Sequence, residues 1–352
     1  MTIGRSAAIG RGPVGRGRLG ARRLGAIALA ATAAAAAPWA AQARMIGGVE
    51  LGGLTDYLFV FTDGSADANW QGASKGFVGD VAIDGVSADE RTSGTVPYTG
   101  TIYTNSGSLG AWQNIVNANP STAAGVTGET ARIAALEADL AAAFSTINGL
   151  TATTGFAGVA PTFLDNLDVA NGIAETFVVD ITSAFQVSSQ IDITGDSDDV
   201  FILRWDTDSN FGNGYDGQVK FQSGGGFVPK GGLTPSNFIH VAGDINASGG
   251  GSTPAELAPY FSGLAEPTNG GGFFTGYWLT TGKPSDGTTT SLSNAIFAGG
   301  WYSSTTSFSM TSGTSGAYVA PPPSTSVPVP LPAALLASGI AALGLTRRRR
   351  RG

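Results

Sequence analysis

Short apolar runs closed by turn residues make up most of this chain. Leu58-Phe59-Val60-Phe61 stops at Asp63-Gly64, and residues 77–83 stop at Asp84-Gly85. The same grammar returns at Thr176–Ile181, 190–194, Val200–Trp205, Gln218–Gln222, Phe238–Ala242, Phe273–Thr280 and 295–302. β-branched and aromatic runs bounded by Gly, Asn and Asp predict strands. One stretch has another period. Between residues 129 and 148, Ile133, Leu136, Leu140, Phe144 and Ile147 fall at helical spacing, which predicts one amphipathic helix with Gly149 as its C-cap. The chain is therefore mainly β, with one long helix packed on the β core.

Strand starts at Val200, Gln218 and Phe238 lie 18 and 20 residues apart, with Phe273 35 further on and Ala295 another 22. Coils of a β-solenoid have roughly this length. A β-sandwich with long loops predicts similar strands, so both architectures stay open on periodicity.

The two ends read differently from the body. Residues 1–43 hold six arginines and no acid, then an Ala-rich apolar run closing on Ala41-Gln42-Ala43. A positive start, an apolar middle and a small-x-small site describe a secretory signal peptide cut after Ala43. Residues 321–328 form a Pro/Ser linker. After it come Val329-Pro330-Leu331-Pro332-Ala333, an apolar run to Leu345, and Arg347, Arg348, Arg349, Arg350 and Arg351. As a helix, 329–345 would reach about 25 Å, enough for a short membrane span with the arginines held on the cytoplasmic side.

Composition sharpens this. The net charge of −7 conceals a segregation: without the 11 terminal arginines, 8 basic residues face 26 acidic ones between 44 and 346, a net −18. An acidic body argues against nucleic acid as a partner. Across 352 residues there is one histidine and no cysteine. Disulfide scaffolds, iron–sulfur clusters, thiolate zinc sites and Cys nucleophiles are excluded.

Four candidate sites remain. Asp206, Asp208, Asn210 and Asp216 set hard oxygens along a Gly-rich loop, the donor set Ca²⁺ prefers. Gly217 stands where an EF-hand needs a bidentate Glu, so the choice lies between a looser Ca²⁺ loop and a solvated hairpin loop. Calcium is the one cofactor the sequence offers. Gly72-Ala73-Ser74-Lys75-Gly76 has the form of a nucleophile elbow and His240 follows it, but a strand is predicted where an elbow needs a helix. Asp196, Asp198 and Asp199, and Glu256 with Glu266 around Tyr260-Phe261, offer carboxylate pairs for glycoside hydrolysis or, more simply, turns. Residues 305–311 are rich in Thr and Ser, as water-ordering faces and exposed strands both are, while Trp112, Trp278, Trp301 and Tyr302 suit sugar stacking or core packing.

Val329-Pro330-Leu331-Pro332-Ala333, the short helix and the Arg cluster resemble the VPLPA variant of the PEP-CTERM sorting signal. That resemblance implies a transient inner-membrane anchor, removal by an exosortase in a Gram-negative bacterium, and delivery to the cell surface or extracellular matrix. The body is similar to choice-of-anchor A and bacterial ice-binding-like surface proteins, on residues 59–64, 76–81, the helix around Leu136, and 294–300. This implies a right-handed β-solenoid with the helix alongside. The expected function is binding, adhesive or structural, without catalysis, toward an extracellular polysaccharide or surface ligand. A secreted carbohydrate-active enzyme using an Asp/Glu pair and an ice-binding protein are the alternatives.

Overall fold

The structure is a computed structural model that describes residues 44–64, 68–70, 76–85, 91–92, 96–248, 254–261, 272–282, 290–304, 308–311 and 313–321. Among these, every strand pairing is parallel except the small hairpin Met45–Ile46 with Val49–Glu50. A β-sandwich is built from antiparallel strands, so this pattern leaves the solenoid. The strands stack into three faces, here called A, B and C, of which A and B are one continuous 14-stranded sheet and C a 7-stranded one; the chain visits them in the order B, A, C.

Face A stacks Thr176–Ile181, Val200–Trp205, Phe238–Ala242, the second half of Phe273–Thr280, the second half of Ile296–Ser303, Tyr57–Phe61, Asp80–Ile83, Tyr98–Thr104 and Ala123–Val126. Face B stacks Leu167–Asp168, Gln190–Gly195, Gly226–Gly231, the first halves of the two long strands, Ser315–Tyr318, Gly76–Val78 and the start of Tyr98–Thr104. Face C stacks Gln186–Val187, Gln218–Gln222, Asp244–Ser248, Thr290–Ser293, Phe308–Thr311, Ala68–Trp70 and Arg91–Thr92.

The stacking order is not the chain order. Ser315–Tyr318 supplies face B of one coil whose faces A and C come from Tyr57–Phe61 and Ala68–Trp70. This composite coil joins the two ends of the body. Its seams are Trp301 opposite Phe59 and Ser315 opposite Gly76.

Register also corrects the spacing read from sequence. Gln218 belongs to face C, so the intervals of 18 and 20 measured one face to the next. On a single face, Thr176 meets Val200 after 24 residues, Trp278 meets Trp301 after 23 and Val81 meets Ile102 after 21. Phe201 meets Phe238 only after 37, because that coil carries the extra loop at 206–217. Residues 77–83 are two strands rather than one. They break at Gly79, whose φ of +135° turns the chain from face B to face A; a Cβ there would lie 2.6 Å from Tyr318 Cβ.

Inside the coils, like residues stack. Phe177, Phe201 and Phe238 form a ladder with ring centroids 4.9 and 5.3 Å apart. Phe59 of the composite coil packs on Phe297 and Phe77 on either side, at 5.6 and 5.8 Å. Parallel in-register pairing places equivalent positions above one another, which is why one aromatic demands another in the next coil.

The helix is Thr130–Asn148, and it buries Ile133, Leu136, Leu140, Ala143 and Ile147 on the outside of face A, against Val60, Ala82, Val178, Ile202, Ile239 and Leu279. Phe144, expected in the same stripe, is only half-buried and turns to Tyr215 instead, 6.3 Å away. Gly149 does cap the helix, but at φ −79°, so no left-handed turn is needed there. At about 1.5 Å per residue, 19 residues run roughly 28 Å back along the stack. Arg204, 3% exposed, fastens the helix end: it pairs with Asp180 at 2.7 Å and donates to the carbonyls of Ile147 and Leu150 at 3.0 and 2.9 Å.

Replacing Arg204 with Met strands the Asp180 carboxylate and two carbonyls in a dry site. Arg204→Met is expected to cost about 3–5 kcal/mol, read as a lowered midpoint in denaturant unfolding.

Candidate functional site

The three faces differ in what lies over them. Face A is covered by the helix and by Ile46, Val49, Leu51 and Leu54 of the N-terminal segment. Face B is covered in part by residues 254–261, whose Leu257 and Phe261 pack on Val228, Phe273, Ile296 and Ala298. On face C the outward positions whose side chains are described are polar, and no hydrophobic cluster of the described residues extends over it.

Strand alternation explains face C. Val219, Phe221, Ile245, Ala247, Leu292, Met310 and Trp70 point inward and are buried. The positions between them fall into register as one row: Gln186, Lys220, Asn246, Ser291, Ser309, Asn69 and Arg91. In a second row Gln222 faces Ser248, and Ser293 faces Thr311. Lys220, Gln222, Asn246, Ser293 and Ser309 are half-exposed and Ser248 is exposed. Neighbouring strands sit about 4.8 Å apart and alternate residues about 6.7 Å apart. The result is a regular grid of hydrogen-bonding groups with the core directly beneath it. From the Thr/Ser-rich stretch 305–311, Ser309 and Thr311 belong to these rows, and residues 305–307 lie outside the described residues.

The acidic loop 206–217 is an insertion that leaves face A after Trp205 and turns at Phe211–Asn213. Its carboxylates are engaged with its own backbone. Asp206 Oδ1 accepts the Asp208 N–H at 2.9 Å, and Asp208 Oδ1 accepts the Asn210 N–H at 2.7 Å. Asp216 Oδ1 accepts from Thr207 N and Oγ1 at 3.0 and 2.6 Å. The loop thus has the short local contacts of Asp and Asn turns. Asp206 differs from the rest. It is fully buried, its Oδ2 meets no donor, and burial, reinforced by the nearby Asp216 and Asp208 charges, pushes its pKa up to about 6. Exposed Asp208 is shifted down, chiefly by the Asn210 N–H. Among the described residues, no three Asp, Glu or His side chains converge closely enough to hold a metal.

His240 is a core residue. Its ring lies 3.9 Å from Trp278 at an interplanar angle of 2°, Trp205 Nε1–H points at its Nδ1 from 3.4 Å, and burial pushes its pKa down to about 3. It stays neutral inside the stack. Ser74 lies outside the described residues, and Gly76 opens a strand where a nucleophile elbow requires a helix.

The other carboxylates hold corners. Asp196 Oδ2 accepts the N–H groups of Asn171 and Gly172 at 2.9 and 2.6 Å, and Asp199 accepts those of Glu175 and Asp196 at 3.0 and 2.8 Å. Asp198 is exposed. Lys230 bonds Asp192 at 2.6 Å and lies 3.8 Å from Glu256, so that carboxylate is partly neutralised on open surface. Glu266 lies outside the described residues. Trp112, Trp278, Trp301 and Tyr302 are fully buried and meet no ligand surface. Ala41, Ala43, the motif Val329 to Ala333 and Arg347 to Arg351 lie outside the described residues. No helix among the described residues is long and apolar enough to cross a membrane.

Sequence reasoning missed face C as a unit. Its signal is strict alternation in short segments such as Asp244-Ile245-Asn246-Ala247-Ser248, hidden by the polar half of each strand.

Asp206 gives a signed test. Because its folded pKa is raised above 3.8 to about 6, folding takes up a proton, and the stability present at low pH is lost as pH rises through 6. Asp206→Asn keeps the acceptor for Asp208 and removes the charge. It is expected to be more stable than the wild type at pH 7.5 by about 1 kcal/mol after solvent screening, and equal to it below pH 4, in matched thermal melts.

No protein-family model matches the chain, and no curated protein does. Solved structures with a similar backbone course include a glycosylated ice-binding protein (LeIBP) from an Arctic yeast, at 16% identity and TM-score 0.43, over 80% of this chain and 99% of that one. Another is an ice-binding protein from the Antarctic ascomycete Antarctomyces psychrotrophicus, at 14% identity and TM-score 0.41, over 77% and 98%. A third, from an Antarctic bacterium Flavobacteriaceae, has 12% identity and TM-score 0.42, over 78% of this chain and 49% of that one.

Proposed function

We propose that this is an exported, non-catalytic protein that binds an ordered, repeating surface through face C. One observation carries the reading: the in-register polar rows on a sheet over which no hydrophobic cluster of the described residues extends. Flexible single contacts give little affinity, because each must be ordered on binding. Short side chains on a rigid sheet lose less, because the backbone beneath them is already ordered. Ice is the ligand we place first, since it too presents hydrogen-bonding groups on a two-dimensional repeat, and Asn246, Ser248, Ser293 and Ser309 are short side chains that keep the face flat. The ice-binding proteins named above share only a distant backbone course, so the weight rests on the face.

A second reading is an extracellular polysaccharide, and Lys220 favours it. A cation beside Gln222 and Asn246 suits sugar hydroxyls and uronate carboxylates better than it suits ice. In either case the leader and the VPLPA-type tail direct export and surface delivery, with an exosortase-type protease as processing partner and a membrane anchor held until cleavage.

The test is partition into slowly growing ice together with thermal hysteresis. Wild type should concentrate in the ice. Asn246→Tyr and Ser309→Tyr, which raise bulk in the middle of the row, should lower both readouts at least fivefold, and Glu137→Tyr on the exposed side of the helix should not. Wild-type protein excluded from ice sinks the ice reading. Retention on an acidic polysaccharide resin that these same face C changes abolish would then support the second.

A further inference from the structure

The chain enters and leaves the described fold at one place. Arg44, the first described residue, lies 3.0 Å from the Asp56 carboxylate and donates to the Thr55 carbonyl at 3.4 Å. Tyr318 Oη donates to that same carbonyl. Tyr318 closes the last strand, and the Val319 N–H bonds Gly299 O at 3.4 Å. Gly299 marks a corner: Ile296 to Ala298 pair on face B, and Trp301 to Ser303 pair on face A. Both chain ends therefore sit on the edge where A and B meet. Along the stack this is the level of Ser315–Tyr318, sixth of the eight strands from Leu167–Asp168 to Tyr98–Thr104 on face B. Each coil has three sides, so face C lies opposite this edge.

We infer that the A/B edge is the membrane-proximal side of the protein, so that the body is held side-on at its waist with face C turned away from the bilayer. The inference rests on reading the two ends as membrane-inserting signals. Before processing, leader and tail then leave from neighbouring points into the same membrane, and the composite coil can close while both are still attached. Reach decides the orientation. The linker of residues 321–328 spans about 28 Å at full extension. A solenoid side built on a strand of five or six residues is roughly 17–20 Å wide. Turning face C onto the lipid would use most of the linker merely to round one side. Among the described residues, the two faces adjoining the tether are also the ones that carry covering segments, and the face farthest from it carries none.

The absence of cysteine makes the orientation measurable. The full chain is reconstituted by its tail into phosphatidylcholine/phosphatidylglycerol vesicles as Ser248→Cys (face C) or Ala320→Cys (A/B edge). Each is treated with a 5-kDa polyethylene-glycol maleimide and with N-ethylmaleimide, and the ratio of the two rates is compared with that of the same variant released from its tail by proteolysis. The ratio at 248 should not change on vesicles, and that at 320 should fall at least fivefold. Gln222→Cys and Asp56→Cys form an independent pair if either first variant fails to fold. Equal ratios at both positions, or protection at 248, overturns the orientation. So does a chain that does not float with the vesicles. Loss of ice and polysaccharide binding with the labelling pattern intact fails the proposed function alone.

Discussion

The structure depends on one junction. Tyr57–Phe61 is held on one side by Ile296–Ser303 and on the other by Asp80–Ile83, and through it the early and late coils become a single stack. All five residues of this strand are buried. Tyr302 Oη donates to the Tyr57 carbonyl and Tyr277 Oη to that of Val319, so the seam is hydrogen-bonded from the helix side of face A as well as along the ladder. Without this strand the coils of residues 76–126 would lose their neighbour on face A and keep only the pairings to Ser315–Tyr318 on face B and Ala68–Trp70 on face C. A parallel sheet also exposes its backbone donors and acceptors wherever a coil is missing.

Such closure has a kinetic side. Residue 59 must find residue 301, a separation that only a nearly complete chain can satisfy. Loop closure over that distance is slow and is rewarded late, as in other folds dominated by non-local parallel pairing. The helix Thr130–Asn148 shortens the problem. It carries the chain from the Ala123–Val126 end of the stack back to the Thr176–Ile181 end while covering face A on the way. Asp139 then clasps the N-terminal segment by accepting the Gly53 N–H at 2.7 Å.

How much of this could be read from sequence follows from burial. The middle strands of face A are apolar on both sides, and Val200–Trp205 is buried at all six positions, so such segments stand out from a Gly/Ser-rich background with accurate bounds. The helix was equally plain, because its stripe has to cover a sheet. On face C only Gln218–Gln222 was legible as a strand: elsewhere only alternate residues are apolar, and Thr290–Ser293 or Phe308–Thr311 look locally like loop. The composite coil left no local trace at all, since nothing near Phe59 encodes Trp301. For the site, Asp196 and Asp199 behave as turn residues. Asp206 was singled out for the company of other acids, whereas its distinction in the fold is burial.

The alternation on face C has an evolutionary consequence. Each strand there assigns one set of positions to the core and the next to the outside, so that Ile245 and Ala247 hold the coil while Asn246 and Ser248 answer only to whatever lies beyond. Outward residues can change without disturbing packing, and a substitution in one coil is separated from the next by a fixed step. The face is a template whose spacing is conserved by the backbone and whose chemistry is free to drift. The outward chemistry of such a face can be rewritten through a handful of point mutations, none of which has to be compensated inside.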